Sequence, residues 1–432
     1  MLKAGFARLD VTPPLGTFIP GAGIQRFSEK VLDPIFLNAL AISLDGETVI
    51  IVAADFLAIG MQYANELRDV IAKRTGVPVK NIMIHALHQH SAIELRAPRA
   101  TNNMMGDFTF LDVLYRKFSD VAFLAVNDLA ECSLSAGIKE TEETIAFIRR
   151  YYMKDGSIAT NPIGKYQEVE RRYADADNRV RLLRFKREGA KDIALVNFQT
   201  HPDVIHKNVT SADWPGFVRK FVEHEYLDEV DCLVTVGVQG DCNHCDFFLP
   251  EYKDGYGHSK HMGRVIANAV IAMWDKTEPV TVDSLTSSME IVYNKTRTEG
   301  EELYDEMKEM SKDKDGVIAR DPSYTTYANM MRIVAIRESA PIYKKLPVSV
   351  INLGPVAFVG FGGEPFTQYG WNVRAACPDR FILTSCNTNG SEGYLVTTKA
   401  FSEGGYEASS TPFTPGLEEA CCEAAVKQLN AK

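Results

Sequence analysis

Four short polar signatures punctuate the chain: His88-Gln89-His90-Ser91, Thr200-His201-Pro202, Gly363-Glu364-Pro365 and Gly393-Tyr394-Leu395. Each sets a potential metal ligand at or near the end of a β-branched or apolar run, where a strand gives way to a loop. Two imidazoles, a carboxylate and a phenolate could together hold one Zn²⁺ and leave a position open for water. A hydrolase is therefore the leading reading. His88 and His90 are two apart, so on a strand they share a face, and His85 has the opposite parity. One of the pair can bind a metal while the other hydrogen-bonds in the same cleft. His201 repeats the context, with His206 and Asp213 near enough in sequence to fix an imidazole tautomer. Glu364 lies between glycines that let the backbone turn and Pro365, which suits the first turn of a helix. A carboxylate there also gains from a helix N-terminus, so capping is its competing role. Tyr394 and Tyr406 flank one loop, and no local feature demands that either be a ligand or a donor.

The elements that must position these residues are mostly readable. Residues 1–16 form a strand stopped by Pro13-Pro14. Residues 37–45 and 48–56 form a hairpin across Asp45-Gly46. Met61–Arg74 is an amphipathic helix before Gly76, Asn81–His90 a strand into the first signature, and Phe110–Cys132 a long helix by its apolar spacing. Val180–Phe185 and Ile193–Gln199 pair as strands, the second delivering His201. Gly216–Glu225 and Ser259–Trp274 are helices on either side of a buried strand, Cys232–Val238. Residues 297–313 read as a highly charged helix. Val348–Phe361 holds two strands joined at Gly354-Pro355. Helix Pro365–Ala376, strand Phe381–Cys386, an ordered glycine- and serine-rich loop region at 387–413 and helix Pro415–Leu429 close the chain. Hairpins mixed irregularly with helices imply mixed sheets covered by helices, not a regular doubly wound fold.

The chain has 432 residues, 45% hydrophobic and 24% charged, with a formal net charge of −10. That balance excludes a nucleic-acid footprint and a polybasic membrane patch. No run of about 18 apolar residues and no apolar leader segment is present, so no integral membrane segment is expected and the location is read as cytoplasmic. The eight cysteines have no disulfide-scaffold spacing and read as free thiols. Cys242, His244 and Cys245 suggest a second metal site only weakly, since no further Cys/His pair stands at zinc-finger spacing.

These motifs, with Ala4–Pro14, Ser211-Ala212-Asp213, Gln239-Gly240-Asp241 and Tyr406–Thr411, occur in an order that resembles the neutral/alkaline (non-lysosomal) ceramidase family, in its N-terminal catalytic domain. The resemblance spans nearly the whole chain. It implies an α/β fold with mixed β-sheets packed between helices, as a single catalytic domain over 1–432 without the family's C-terminal immunoglobulin-like domain. It also implies one zinc held by His88, His201, Glu364 and Tyr394, with His90 beside the zinc-activated water or the substrate. By the same resemblance Arg149 and Tyr406 are active-site donors. Asn243 stands where the family carries a serine proposed to contact the reacting amide, which disfavours a covalent serine mechanism. The implied activity is zinc-dependent hydrolysis of a linear amide C–N bond in ceramide or a smaller N-acyl compound, a role in sphingolipid or related lipid metabolism. The alternatives are a zinc hydrolase acting on an ester or another bond, and a non-enzymatic metal-binding relative.

Overall fold

The computed structural model of the chain describes residues 1–21, 26–96, 108–249, 253–297, 308–309, 312–313 and 343–431. The charged helix expected at 297–313 falls almost wholly outside them. Strands β1 (Leu2–Asp10), β2 (Phe36–Leu44) and β3 (Glu47–Ala54) run antiparallel in sequence order. The β2–β3 turn is Asp45-Gly46, with φ of 50° and 93°, the left-handed pair that matches the twist of a two-residue hairpin. Helix α1 (Met61–Thr75) crosses to β4 (Ile82–Ala86), which lies parallel to β3. Then follow α2 (Phe108–Asn127), β5 (Ala130–Glu140), the hairpin β6 (Arg179–Arg187) and β7 (Asp192–Phe198), and α3 (Asp213–Glu225). Strand β8 (Val230–Val236) is parallel to β7, and α4 (Gly255–Met273) follows it.

These strands make a nine-stranded sheet in the order β8-β7-β6-β5-β1-β2-β3-β4, with Glu278–Val280 added alongside β5. A second sheet orders β9 (Leu285–Lys295), β10 (Tyr343–Leu353), β11 (Val356–Phe361) and β12 (Phe381–Ser385), the last two parallel. Helices α5 (Thr367–Ala376) and α6 (Leu417–Leu429) accompany it.

Strand alternation divides the cores. Ile50 and Val52 face α1 and α2, packing in one cluster with Leu67, Ile71, Leu114 and Phe118. Their neighbour Ile51 turns the other way and joins Met83, Ile351, Phe358 and Leu383 between the two sheets. Val350 and Val359 face outward to Tyr369, Val373, Leu417 and Cys421. The result is helices, sheet, sheet and helices in layers, the mixed α/β arrangement expected from the sequence.

Several expectations need correction, among them the loop region at 387–413, which contains the short helices Thr398–Glu403 and Tyr406–Ser410. The helix over Phe110–Cys132 ends at Asn127, because Ala130–Glu140 pairs as β5 with β1 and β6. Its Leu134 and Ala136 are buried two apart, a strand period that the preceding helical spacing masked. Pro365 is not in a helical turn: Glu364–Pro365 forms a short parallel bridge with Tyr394–Leu395, and the helix starts at Thr367. The strand before the first signature ends at Ala86.

His85 stitches the two sheets together. Its Nδ1–H donates to the Cys386 carbonyl at 2.6 Å and its Nε2 accepts from the Val236 N–H at 3.0 Å. Burial, above all, pushes its pKa down to about 4. A depressed imidazole contributes stability that is complete above the unfolded value near 6.5 and is lost as pH falls through 4. Denaturant titration of wild type and His85→Gln at pH 7 and pH 4 should therefore show a wild-type loss larger by roughly 3 kcal/mol. Equal losses in the two proteins would show that His85 carries no such linkage.

Candidate metal centre

Three parallel strand pairs, β3/β4, β7/β8 and β11/β12, end on the same side of the molecule. Ligands in open α/β sheets gather outside such carboxyl ends. The Cys386 N–H donates to the Val236 carbonyl at 3.1 Å and the Asn389 N–H to the Ile84 carbonyl at 2.8 Å, so the sheets meet there in a seam. All four signatures open into that seam.

His88 follows β4 in a left-handed conformation, φ 72°, which costs a non-glycine residue about 1–3 kcal/mol. The turn is held by its N–H donating to the Phe56 carbonyl at 2.8 Å. Gln89 donates to Asp55 at 3.0 Å and to the Ala212 carbonyl at 3.2 Å, and Ser91 donates to the Ser211 carbonyl at 3.0 Å. The polar residues between and after the histidines thus tether this loop to the Ser211-Ala212-Asp213 motif. His88 and His90 do not sit on a strand, yet they converge: their Nε2 atoms are 3.3 Å apart. With His201 they form a cluster whose ligand atoms all lie within 4.8 Å of one another.

Backbone carbonyls face the Nδ1 atoms. His88 Nδ1 is 2.9 Å from the Leu57 carbonyl oxygen, and His201 Nδ1 is 2.8 Å and 2.9 Å from those of Gln239 and Cys242. With Nδ1–H donated, each Nε2 presents a lone pair. Those lone pairs face Glu364 Oε2 at 3.1 Å and 3.4 Å, and among the described residues that buried oxygen accepts no hydrogen bond. None of these three acceptors offers a proton to another, although Arg149 Nη1 reaches His201 Nε2 at 3.5 Å and His90 Nε2 lies 3.3 Å from His88 Nε2; they repel one another, and a cation at their centre removes the conflict. The residues present therefore fit a divalent metal ion. Burial first, then neighbouring Arg149, lowers the His201 pKa, in keeping with a neutral ring.

His206 and Asp213 do not serve the imidazoles. Asp213 accepts from the Val204 and Trp214 N–H groups and from Ser259, and the His206 ring lies 6.5 Å from that of His244. Carbonyls contributed by distant segments do the work instead, which local sequence could not reveal.

Glu364 reaches the cluster because Gly240 permits it: a Cβ on Gly240 would lie 2.3 Å from the Glu364 carbonyl oxygen. Asp241 secures the same crossing by accepting from the Thr367 N–H and hydroxyl at 2.7 Å and 2.8 Å. The bridge to Glu364 brings Tyr394 alongside. Burial, followed by Glu364, raises the Tyr394 phenol pKa well above its usual value. Its ring lies 5.4 Å from the Arg149 guanidinium and 5.7 Å from the ring of Tyr406, which is 48% exposed.

Arg149 is buried, with Nη1 3.5 Å from His201 Nε2 and Nη2 donating to the Gly240 carbonyl at 2.8 Å. Burial opposes its charge, and the neighbouring Tyr394 and Glu407 outweigh that, so its pKa is raised. Asn243 is buried and its amide is committed at both ends, Nδ2 donating to Asn161 at 3.3 Å and Oδ1 accepting from the His244 N–H at 2.7 Å. Sequence reasoning missed Asn387, whose side-chain amide lies 3.0 Å from His88 Nδ1. Its φ of 40° is one that asparagine tolerates better than most residues. Among the described residues the cysteines are free, and Cys242, His244 and Cys245 form no second metal cluster. His244 is instead held at about 10: burial lowers it, but the Asp203 carboxylate 3.0 Å away and the Cys245 sulfur more than compensate.

The class defined by these features is a mixed two-sheet α/β protein with a buried imidazole–carboxylate cluster at the seam. Among solved structures, the chain is similar to neutral ceramidase from Pseudomonas aeruginosa at a TM-score of 0.73 and 14% identity, over 98% of this chain and 73% of that one. A ceramidase complexed with C2 matches with the same TM-score and identity, over 98% of this chain and 74% of its own. The fold is that of neutral ceramidase, as the motifs implied. No protein-family model and no curated protein sequence matches. Among the described residues no helix is long and apolar enough to cross a membrane.

Proposed function

We propose that this chain is a zinc-dependent hydrolase that cleaves the amide bond of an N-acyl compound, working as one catalytic unit. The observation that carries this reading is the convergence of the His88, His201 and Glu364 acceptors on one point, with Glu364 Oε2 left without a hydrogen-bond donor among the described residues. His88, His201, Glu364 and Tyr394 would hold the ion. Zn²⁺ bound there supplies a Lewis acid for a carbonyl oxygen and lowers the pKa of water to roughly 7.

The chain's own residues supply the rest. His90 is less deeply buried than His88 and touches it through Nε2, so it is placed to accept a proton from the attacking water and return it to the departing nitrogen. Arg149 brings a fixed positive charge to the edge of the cluster, where the tetrahedral oxyanion would form; one such donor is worth about 3 kcal/mol. Tyr406, half exposed against Tyr394, would donate from the mouth of the site. Asn243, with its amide already engaged, orients the loop that carries it. A water nucleophile needs no protein adduct, which agrees with an amide at this position.

The similarity to ceramidases supports an N-acyl, lipid-like substrate. The test is a panel of N-acyl amides and esters with matched acyl groups, assayed on metal-stripped protein and after restoring Zn²⁺. Zinc-restored turnover of amides at rates equal to or above the matched esters is expected. Ester cleavage alone, or amide turnover indifferent to metal removal, would refute the proposal.

A further inference from the structure

Glu407 is a fully buried carboxylate that the chemistry above leaves without a role. Its Oε1 accepts from Arg149 Nε at 2.7 Å. Its Oε2 accepts from the Thr160 hydroxyl at 2.7 Å and from Arg150 Nη1 at 3.3 Å. Two successive arginines thus share one carboxylate from the far end of the chain, on the short helix that begins at Tyr406. Burying such charges is costly unless their geometry is well satisfied. A specific arrangement of this kind is more informative about orientation than about stability.

Arginine has a planar fork of five N–H donors. In Arg149 the Nε edge is taken by Glu407, and Nη2 donates to the Gly240 carbonyl. Held on both sides, the guanidinium cannot rotate, and Nη1 points into the cluster, where it reaches His201 Nε2 at 3.5 Å. We infer that Glu407 is a positioning residue that locks Arg149 as a preoriented donor for an oxyanion or a product carboxylate. It also fixes the Tyr406 helix to the same arginine, so both donors keep one geometry. A donor already in place requires no reorganisation as negative charge develops.

The inference deepens the proposed hydrolase function and rests on it for the kinetic arm of the test only. Butyrate, a minimal product carboxylate, is titrated calorimetrically into zinc-loaded wild type, Glu407→Gln, Glu407→Asp, Arg149→Ala and the double variant Arg149→Ala/Glu407→Gln. Glu403→Gln is the control, since Glu403 pairs with Arg150 at 3.5 Å and accepts from Tyr173 at 2.6 Å without touching Arg149. Zinc content, kcat and KM on an N-acyl amide are measured on the same proteins. Glu407→Gln should keep its zinc, raise the butyrate Kd about 10- to 100-fold and lower kcat by a similar factor, with KM changed less than about threefold. Glu407→Asp should recover part of both, and Glu403→Gln should match wild type. In the Arg149→Ala background, Glu407→Gln should add nothing, because its effect runs through Arg149. Wild-type Kd and kcat in Glu407→Gln, equal losses in the two backgrounds, or a wild type without butyrate affinity would each overturn the inference. Should Glu407→Gln fail to fold, Glu407→Asp decides by the same criteria. Glu407-dependent butyrate binding in a protein that turns over no N-acyl substrate would remove the hydrolase reading and leave the positioning role standing.

Discussion

His88→Ala and His201→Ala are each expected to abolish stable zinc binding and reduce hydrolysis to the background rate. Each removes a lone pair that faces Glu364 Oε2, at 3.1 Å and 3.4 Å in the intact protein. Loss of a supporting partner of a metal ligand already costs roughly 10- to 100-fold in affinity, and loss of the ligand itself should cost more. Elemental analysis after exhaustive dialysis should find about one zinc per wild-type chain and far less in either variant. Full occupancy in both would reject the site. His90→Ala discriminates its two possible placements, since its Nε2 is 3.3 Å from that of His88. As a proton acceptor it can be lost while zinc stays; as a ligand it cannot. Folding is monitored in parallel, because these side chains also tie loops to the Leu57, Gln239 and Cys242 carbonyls.

Arg149→Ala should be the next most damaging change. Zinc should remain bound, KM should move little, and kcat should fall about 10²- to 10³-fold, the loss seen when an oxyanion donor is removed. Lysine should rescue poorly. The native side chain uses separate edges for Glu407, the Gly240 carbonyl and the His201 side of the cluster, and an ammonium on a flexible stem cannot reproduce that fork. Some destabilisation is expected as well, since Glu407 would keep only Arg150 and Thr160 as partners. A kcat within a factor of three of wild type would remove Arg149 from the chemistry. Zinc loss would instead make it a support of the metal ligands.

Much of this architecture was legible because its signals are local. Asp45-Gly46 sets a hairpin through two positive φ angles, and the alternation of Ile50, Ile51 and Val52 between two cores is a property of any strand. The helix beginning at Met61 ends at Thr75, beside the expected glycine. Where periodicities abut without a stop residue, as at Asn127–Ala130, local reading extended the helix into a strand. That strand exists because β1 and β6 pair with it from opposite sides, at sequence distances no local pattern encodes.

The candidate site divides along the same line. The sequence by itself determined which residue types were available for metal chemistry, in what order, and that His88, His201 and Glu364 stood just past the end of a strand. Only the tertiary structure decided that His88, His201 and Glu364 converge, because they meet at the seam of two sheets closed by the Cys386–Val236 and Asn389–Ile84 hydrogen bonds. It also decided how they are aimed. The Nδ1 atoms face the carbonyls of Leu57, Gln239 and Cys242, and the reach of Glu364 depends on Gly240 lacking a side chain. Every residue has a carbonyl, so no residue type announces this role. Orientation here is a property of chain crossings, and those are fixed only when the whole core has packed.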